Sequence, residues 1–495
     1  MTKAKSFIQK GMMIMSVLLG VTLLIRIVDQ AKIIKYFPLG TINDIASYMA
    51  QLFFLDACGF HKFCDYWYNG FTAFLFTPPG WYFFAYPFLK LFGDVKIAAY
   101  VTILLMLVLG YMLIYYFGKK RGWSIQQRVF LFLCIFANAV AIRGFVRSGR
   151  PHEMFAWLAF LATFFIVLHY KNKKIDRKFY LAAGTYAISI ISYVAVGIFT
   201  TIVFGSLFLI KKGREKIHTI IVPAIGVILS SFWLLPYFTN IEQSSLLASH
   251  QGAWLIAFGS DILLKQMGAI VFPVGFIVMF YWFWKSNRER QELIFYSPWL
   301  ILALLFALRI TGMIPILKEI FPNPYFTLFI IVASYLFVET KWGEKSLDKL
   351  MVIGSIGIVI ASCILVLFFT AYFEMPSQNA KDVIALVPKI EGKYLTVGFP
   401  PDAYDKALVS YAAVYYGKKT PFGFYYHVVP TTYTSEVAEA MEGIARGDCE
   451  VWKQQSEKLG IEEAISYRFC EQLSACGMKK KEESGNFCLY TWKGA

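Results

Sequence analysis

The chain has 495 residues, of which 58% are hydrophobic, 18% aromatic and only 16% charged, against about 25% charged in soluble domains. Repeated apolar runs near the roughly 18–20 residues that cross a bilayer exclude a soluble globular class, and the lack of short alternating segments excludes a transmembrane β-barrel. The net charge of +16 does not mark a nucleic-acid partner, because the positives sit in short clusters between apolar runs, where they act as topology signals.

The first run, about 6–28, has a basic start (Lys3, Lys5, Lys10) and no small-residue cleavage site after it, so it reads as a retained span. "KYFPLGTINDIASYMAQLFFLDACGF" follows, with Asn43-Asp44 just beyond the span. Next comes "FTPPGWYFFAYPFLKLFG", residues 76–93, opened by Pro78-Pro79, interrupted by Pro87 and crowded with aromatics that prefer the headgroup zone. It reads as an interfacial or re-entrant helix inside one long external loop, 29–94. Further spans are expected at about 95–117, 125–142, 153–170, 178–194, 195–211, 216–236, 266–285, 290–308, 322–339 and 349–372. The fifth and sixth spans nearly touch, which predicts a tight or broken hairpin near Tyr193–Gly197.

The clusters "GKKRGW", "YKNKKIDRK", "KKGREK", "KSNRERQ" and "ETKWGEKSLDK" fall in alternate loops. Placing all of them in the cytoplasm gives eleven spans, with the N-terminus cytoplasmic and the C-terminus extracytoplasmic. After residue 372 "DVIALVPKIEGKYLTVGFPPD" reads as helix, turn, strand, and "EVAEAMEGIARGDCEVWKQQSEKLGIEEAISYRF" as helices and then a strand before "NFCLYTW". The fold class is therefore an all-α polytopic membrane protein of the plasma membrane, with a small external α/β or α+β domain. The membrane domain takes residues 1–372 and the external domain 373–495.

The cysteines agree with that topology. Cys134 and Cys363 fall inside spans, where a thiol behaves as a small hydrophobe. The other six lie in external segments: Cys58 and Cys64 in the first loop, and Cys449, Cys470, Cys476 and Cys488 in the tail. An even external set without a CxxC knuckle favours disulfides over a metal. Cys58 and Cys64 suit a small closed loop, while the tail four allow three pairings.

Several residues are candidates for chemistry, each with a plainer role beside it. Asp44 is a strong N-cap for "IASYMAQLFFL", or an acid facing a substrate. In "AIRGFVRSGRPHEMFAW", Arg143, Arg147 and Arg150 are spaced four and three apart, so a continuing helix would put them on one face. Guanidinium forks there suit phosphate, or they snorkel toward lipid headgroups. Glu153 starts the next span, where a carboxylate favours the helix dipole. With Asp44 it could instead hold a divalent cation through oxygens, or place a base against an acceptor hydroxyl. His152 is a ligand or a hydrogen-bonded structural residue, and Arg309 a second phosphate contact or a snorkelling end residue. The stretch 232–261, with His250 and Asp261, suits a loop covering a lipid or sugar, or an interfacial aromatic belt. No Walker loop, HExxH pair, GxSxG elbow or dinucleotide fingerprint is present.

The order first span, "YFPLG…NDI", "WYNGF…F…PPG", a span ending in basic residues, and "SGRPHE" resembles the membrane-embedded GT-C glycosyltransferase superfamily. Within it, the chain is similar to the prokaryotic multi-span family named for its relation to 6-pyruvoyl-tetrahydropterin synthase. "SSFWLLPYF" and the small external tail fit as well. The resemblance implies transfer of a sugar from a polyprenyl-phosphate donor at the outer membrane face. Asp44 would be base or metal contact, and Glu153 the nearest match to a second acid, with Mg or Mn in some members. The chain departs from the oligosaccharyltransferase pattern: Gly149-Arg150-Pro151-His152-Glu153 lacks the Asp before the Glu, and the tail lacks WWDYG. Asn-peptide transfer is therefore not expected. The alternatives are a non-catalytic scaffold that binds an envelope protein partner, and a transporter of lipid-linked sugars.

Overall fold

A computed structural model describes residues 3–40, 44–244, 263–342 and 346–492. Asn43, His250 and Asp261 lie outside the described residues. In chain order the N-terminal part forms α1 (Lys3–Gln30), α2 (Ile45–Ala57), α3 (Gly80–Phe92), α4 (Val95–Lys120) and α5 (Ile125–Phe136). There follow α6 (Pro151–Tyr170), α7 (Leu181–Ser192), α8 (Val194–Ile210), α9 (Arg214–Thr239), α10 (Leu263–Asn287), α11 (Arg290–Ala307), α12 (Pro322–Glu339) and α13 (Ser346–Ile364).

A helix thus forms at every apolar stretch expected to cross. Among the described residues, six are long and apolar enough to do so: Phe7–Ile34, Val95–Lys120, Pro151–Tyr170, Arg214–Thr239, Met267–Asn287 and Ser346–Phe369. The pair Ile125–Phe136 and Ala139–Arg147, bent by 47°, makes a seventh if it is one span. The chain is a multi-pass membrane protein, but eleven crossings exceed what helix length and composition support on their own. The helix α6 is the central column, with 78% of its apolar window buried, whereas the window of the last span is only 22% buried and lies at the periphery.

The helix in the stretch 76–93 is too short to cross a bilayer unaided. This helix, α3, has 13 residues, about 20 Å at 1.5 Å per residue, against a hydrocarbon core of about 30 Å. Pro79 precedes it and Gly93, at φ +65°, closes it in the left-handed region. The expected break between the fifth and sixth spans is a single residue: α7 stops at Ser192, Tyr193 is extended, and α8 begins at Val194.

Beyond α13 the chain becomes mixed. Helices α14 (Gln378–Leu386), α15 (Asp405–Tyr416), α16 (Thr431–Arg446), α17 (Cys449–Leu459) and α18 (Cys470–Ala475) flank a four-stranded sheet. The first loop holds the short pair β1 (Phe63–Cys64) and β2 (Phe71–Thr72). The tail strands are β3 (Tyr394–Val397), β4 (Glu463–Ser466), β5 (Lys479–Ser484) and β6 (Phe487–Thr491), in the order β3-β4-β6-β5. Only β3 and β4 are parallel. The sheet therefore contains one crossover, supplied by the segment that carries α15 to α17.

Three disulfides form, Cys58–Cys64, Cys449–Cys476 and Cys470–Cys488, while Cys134 and Cys363 are free thiols. The first loop and the tail clasp each other. The Leu39 carbonyl accepts from Tyr404 N at 3.0 Å, and the Tyr66 carbonyl accepts from Thr420 N at 3.0 Å. Asn69 Nδ2 donates to the Leu459 carbonyl at 2.9 Å, and Lys419 pairs with Asp65. Apolar residues of α15 join the same core as α2. This clasp sets residues 424–427 over the start of α2.

Candidate functional site

Asp44 precedes α2, but its side chain does not cap that helix. The capping contacts come from its main chain: the carbonyl accepts from Ser47 N at 3.0 Å and from Ser47 Oγ at 2.6 Å. The carboxylate is left to make other bonds. Arg150 Nε donates to Asp44 Oδ2 at 2.6 Å, and Arg150 Nη1 donates to Glu153 Oε1 at 3.3 Å. One guanidinium therefore ties the loop before α2 to the first turn of α6, 106 residues away in sequence.

The local sequence explains the meeting. Asn138 caps a short helical turn by accepting from Ala141 N. Residues Ile142–Arg147 then widen into a π turn, in which Ser148 N donates to the Arg143 carbonyl, five residues back, at 2.8 Å. Gly149 follows at φ +60°, and a Cβ there would lie 2.5 Å from Cβ of Ile45. Only glycine permits so close an approach to the start of α2 at that backbone angle. Pro151 then opens α6 at its first position, where a missing N–H costs nothing.

Asp44, Arg150, His152 and Glu153 line one cavity of about 510 Å³. The Asp44 and Arg150 side chains are partly open to it, with 29% and 33% exposure. Burial opposes the charge on Arg150, but Glu153 and Asp44 outweigh it and hold the guanidinium above its ordinary pKa. Tyr48, one helical turn after Asp44, is buried; burial first, then Tyr425 and Asp44, push its phenol above the ordinary range, so it stays protonated. Tyr48 Oη lies 3.4 Å from His152 Nε2, and the two rings are 4.6 Å apart. With the phenol as donor, Nε2 accepts and the ring proton sits on Nδ1. That Nδ1 is buried and has no partner among the described residues.

The cavity lining is mixed in character. It also includes apolar and aromatic side chains: Ile198 of α8, Trp233 and Tyr237 of α9, Ile241, Ile316 and Phe321. The break at Tyr193 also opens onto it. The tail contributes Lys406, Phe424, Tyr425 and His427, and Glu319 is also in the lining. Burial lowers the Lys406 ammonium, with Asp405 opposing the shift.

Three of the arginine candidates lie elsewhere. Arg143 is exposed on the π turn. Arg147 is 3% exposed and donates from Nη2 to Glu374 Oε1 at 3.1 Å. Arg309 is exposed, at φ +63° beyond α11, and is not among the cavity's lining residues. The helical turn ends at Arg147 and Gly149 turns left-handed before Arg150, so the continuous helix that would have aligned the three arginines is absent. Tyr48, Tyr425 and Lys406 escape a reading by motif. Tyr48 looks like one more aromatic in an apolar helix, and the other two reach the cavity only through the tail's docking.

The donor set was weighed against a divalent cation. No group of three or more His, Cys, Asp and Glu residues able to hold a metal occurs among the described residues. The two carboxylates that converge already share the guanidinium of Arg150. These residues as arranged do not fit a metal ion, and no step below runs through one.

By sequence, the chain matches no protein-family profile and no curated protein. By structure it is similar to membrane glycosyltransferases. The oligosaccharyltransferase of Archaeoglobus fulgidus in its apo form aligns with a TM-score of 0.53 at 9% identity, over 92% of this chain and 69% of that one. The same enzyme, AglB, in complex with an inhibitory peptide and a dolichol-phosphate, aligns with 0.53 at 10% identity, over 90% and 69%. The mycobacterial arabinofuranosyltransferase AftD aligns with 0.56 at 12% identity, over 96% of this chain but only 41% of its own length. At such identities the likeness is one of fold, and the fold is the GT-C-like one that the loop motifs resemble.

Proposed function

We propose that this protein is a GT-C glycosyltransferase that moves a sugar from a polyprenyl-phosphate donor to an acceptor hydroxyl at the outer membrane face. The observation that carries the proposal is one cavity lined both by paired carboxylates with an arginine and by apolar side chains. A lipid-linked sugar needs both: a greasy surface for the prenyl chain and fixed charge at the reacting bond. The dolichol-phosphate bound by AglB, on the same fold, supports a donor of this class. The eleven-span topology, with cytoplasmic N-terminus, would put the cavity and the disulfide-bonded tail outside, where disulfides persist.

In the proposed step, Asp44 takes the proton of the acceptor hydroxyl as its oxygen bonds to the anomeric carbon from the face opposite the phosphate. The carbon–oxygen bond to the phosphate breaks at the same time, and the lipid phosphate leaves with the electron pair, inverting the centre. Arg150 occupies Asp44 Oδ2, so the free oxygen Oδ1 would meet the acceptor. Its bond also holds the Asp44 carboxylate in place, as a positioned base must be. Arg150 and Lys406 are the cations that line the cavity and would stabilise the departing phosphate.

The test is turnover of purified protein with polyprenyl-phosphate-linked sugars. Asp44→Asn keeps the side chain's shape and removes its basicity, and should lower transfer by about 10²–10⁴-fold, with expression and membrane insertion intact. Unchanged turnover would defeat the assignment.

A further inference from the structure

We propose that Arg150 is a built-in replacement for a divalent cation, so that the site binds no metal until that arginine is removed. The inference rests on the reading of Asp44 and Glu153 as the reacting part of the cavity, but it is tested without any transfer.

Two carboxylates brought together from distant segments repel each other unless a cation sits between them. Two solutions are open to a protein: a divalent ion held by carboxylate oxygens, or a side-chain cation. Here Arg150 reaches Asp44 through Nε and Glu153 through Nη1, at 2.6 and 3.3 Å. These bonds use two different edges of one planar group, which fixes both acids relative to each other as a bridging ion would. Formal charge points the same way. Asp44, Glu153 and Arg150 sum to −1, whereas a divalent ion added beside Arg150 would bring +3 against two carboxylates. The local backbone is also built for the arginine. Gly149 presses against Ile45 and Pro151 starts α6, so the residue between them is held beside both acids. Glu153 is 6% exposed and His152 9%, which leaves little room for the water ligands that Mg²⁺ usually keeps.

Removing the guanidinium should reverse the situation. Arg150→Ala leaves two carboxylates on an emptied position beside the cavity, where the space freed by the side chain would admit water as the remaining ligands. The experiment is Mn²⁺ retention by the purified full-length protein, read as loss of the free-ion electron paramagnetic resonance signal. The comparison set is wild type, D44N/E153Q, R150A and R150A/D44N. Wild type and D44N/E153Q should retain the same Mn²⁺, since any ion they hold lies elsewhere. R150A should retain about one more Mn²⁺ per chain than R150A/D44N. The proposal is overturned if wild type exceeds D44N/E153Q by about one ion, or if folded R150A gains none. If R150A does not fold, the wild-type comparison decides alone. A protein that transfers no sugar but passes this test loses its functional assignment and keeps its metal-free site.

Discussion

Arg147 and Arg150 stand three residues apart in one loop, and each pairs with a carboxylate from a distant part of the chain. Arg147 is 3% exposed and bonded to Glu374, in the segment that leads from α13 to the tail. The same joint holds Arg26, whose guanidinium donates to the Ala371 carbonyl and lies 4.2 Å over the Tyr372 ring, and Asp29, which accepts from Phe373 N at 2.7 Å. Arg150 bonds to two carboxylates, and its side chain, at 33% exposure, opens onto a cavity. Charge, spacing and residue type are the same for the two arginines. What separates them is what lies beside each: Arg147 is packed in, with a partner, Glu374, that is 43% exposed, whereas Arg150 opens onto a cavity.

The widest way to break this comparison is to delete each guanidinium in turn. Arg150→Ala should cost about 10²–10³-fold in transfer, the usual loss when a positioned electrostatic donor is removed. Its thermal unfolding temperature should fall as well, because Asp44, 29% exposed, stays open to the cavity while Glu153, 6% exposed, loses its partner; the loss of turnover should be the larger effect. Gly149→Ala comes next. Its Cβ must fit beside Ile45 at a left-handed backbone angle, so about 1–3 kcal/mol of stability should be lost, and transfer with it, as the two loops move apart. Arg147→Ala should lower stability by about 1–3 kcal/mol, through the lost packing of a side chain that is 3% exposed rather than through Glu374, which at 43% exposure water can solvate, while folded protein keeps near-normal turnover. Chemical denaturation and turnover per folded molecule measure both quantities. If Arg147→Ala abolished transfer at unchanged stability, the distinction between joint and site would fall.

Much of the fold could be read from residue order alone, because its signals are local. Pro78-Pro79 and Pro87 mark the short α3, the abutting apolar runs mark the break at Tyr193, and the change of composition after residue 372 marks the mixed tail. The set of oxidised cysteines was legible, but not the tail's pairing, which depends on how α17 and α18 lie against the sheet. At the site, Asp44, Arg150, His152 and Glu153 do come together. The arginine stripe does not form, since the helix stops at Arg147 and the chain turns at Gly149 before Arg150. Nor could the cap be separated from the acid at Asp44: both use the same residue before the same helix, and only the tertiary partner distinguishes them.

The smallest expected effect belongs to the third arginine of the loop. Arg143 is exposed on the π turn and forms no part of the cavity wall, so Arg143→Ala should change stability by no more than about 0.5 kcal/mol and leave transfer close to wild type. It still carries a charge at the same end of α6 as the site. Any long-range pull on an anionic lipid headgroup would act over about 8–10 Å at moderate salt. The way to detect it is to measure KM for the lipid-linked donor at low and high ionic strength. A rise in KM confined to low salt would make Arg143 part of a steering field and keep the comparison intact. A loss of turnover that salt cannot screen would mean that the phosphate passes along the π turn itself, and the boundary between joint and site would have to be moved out to include it.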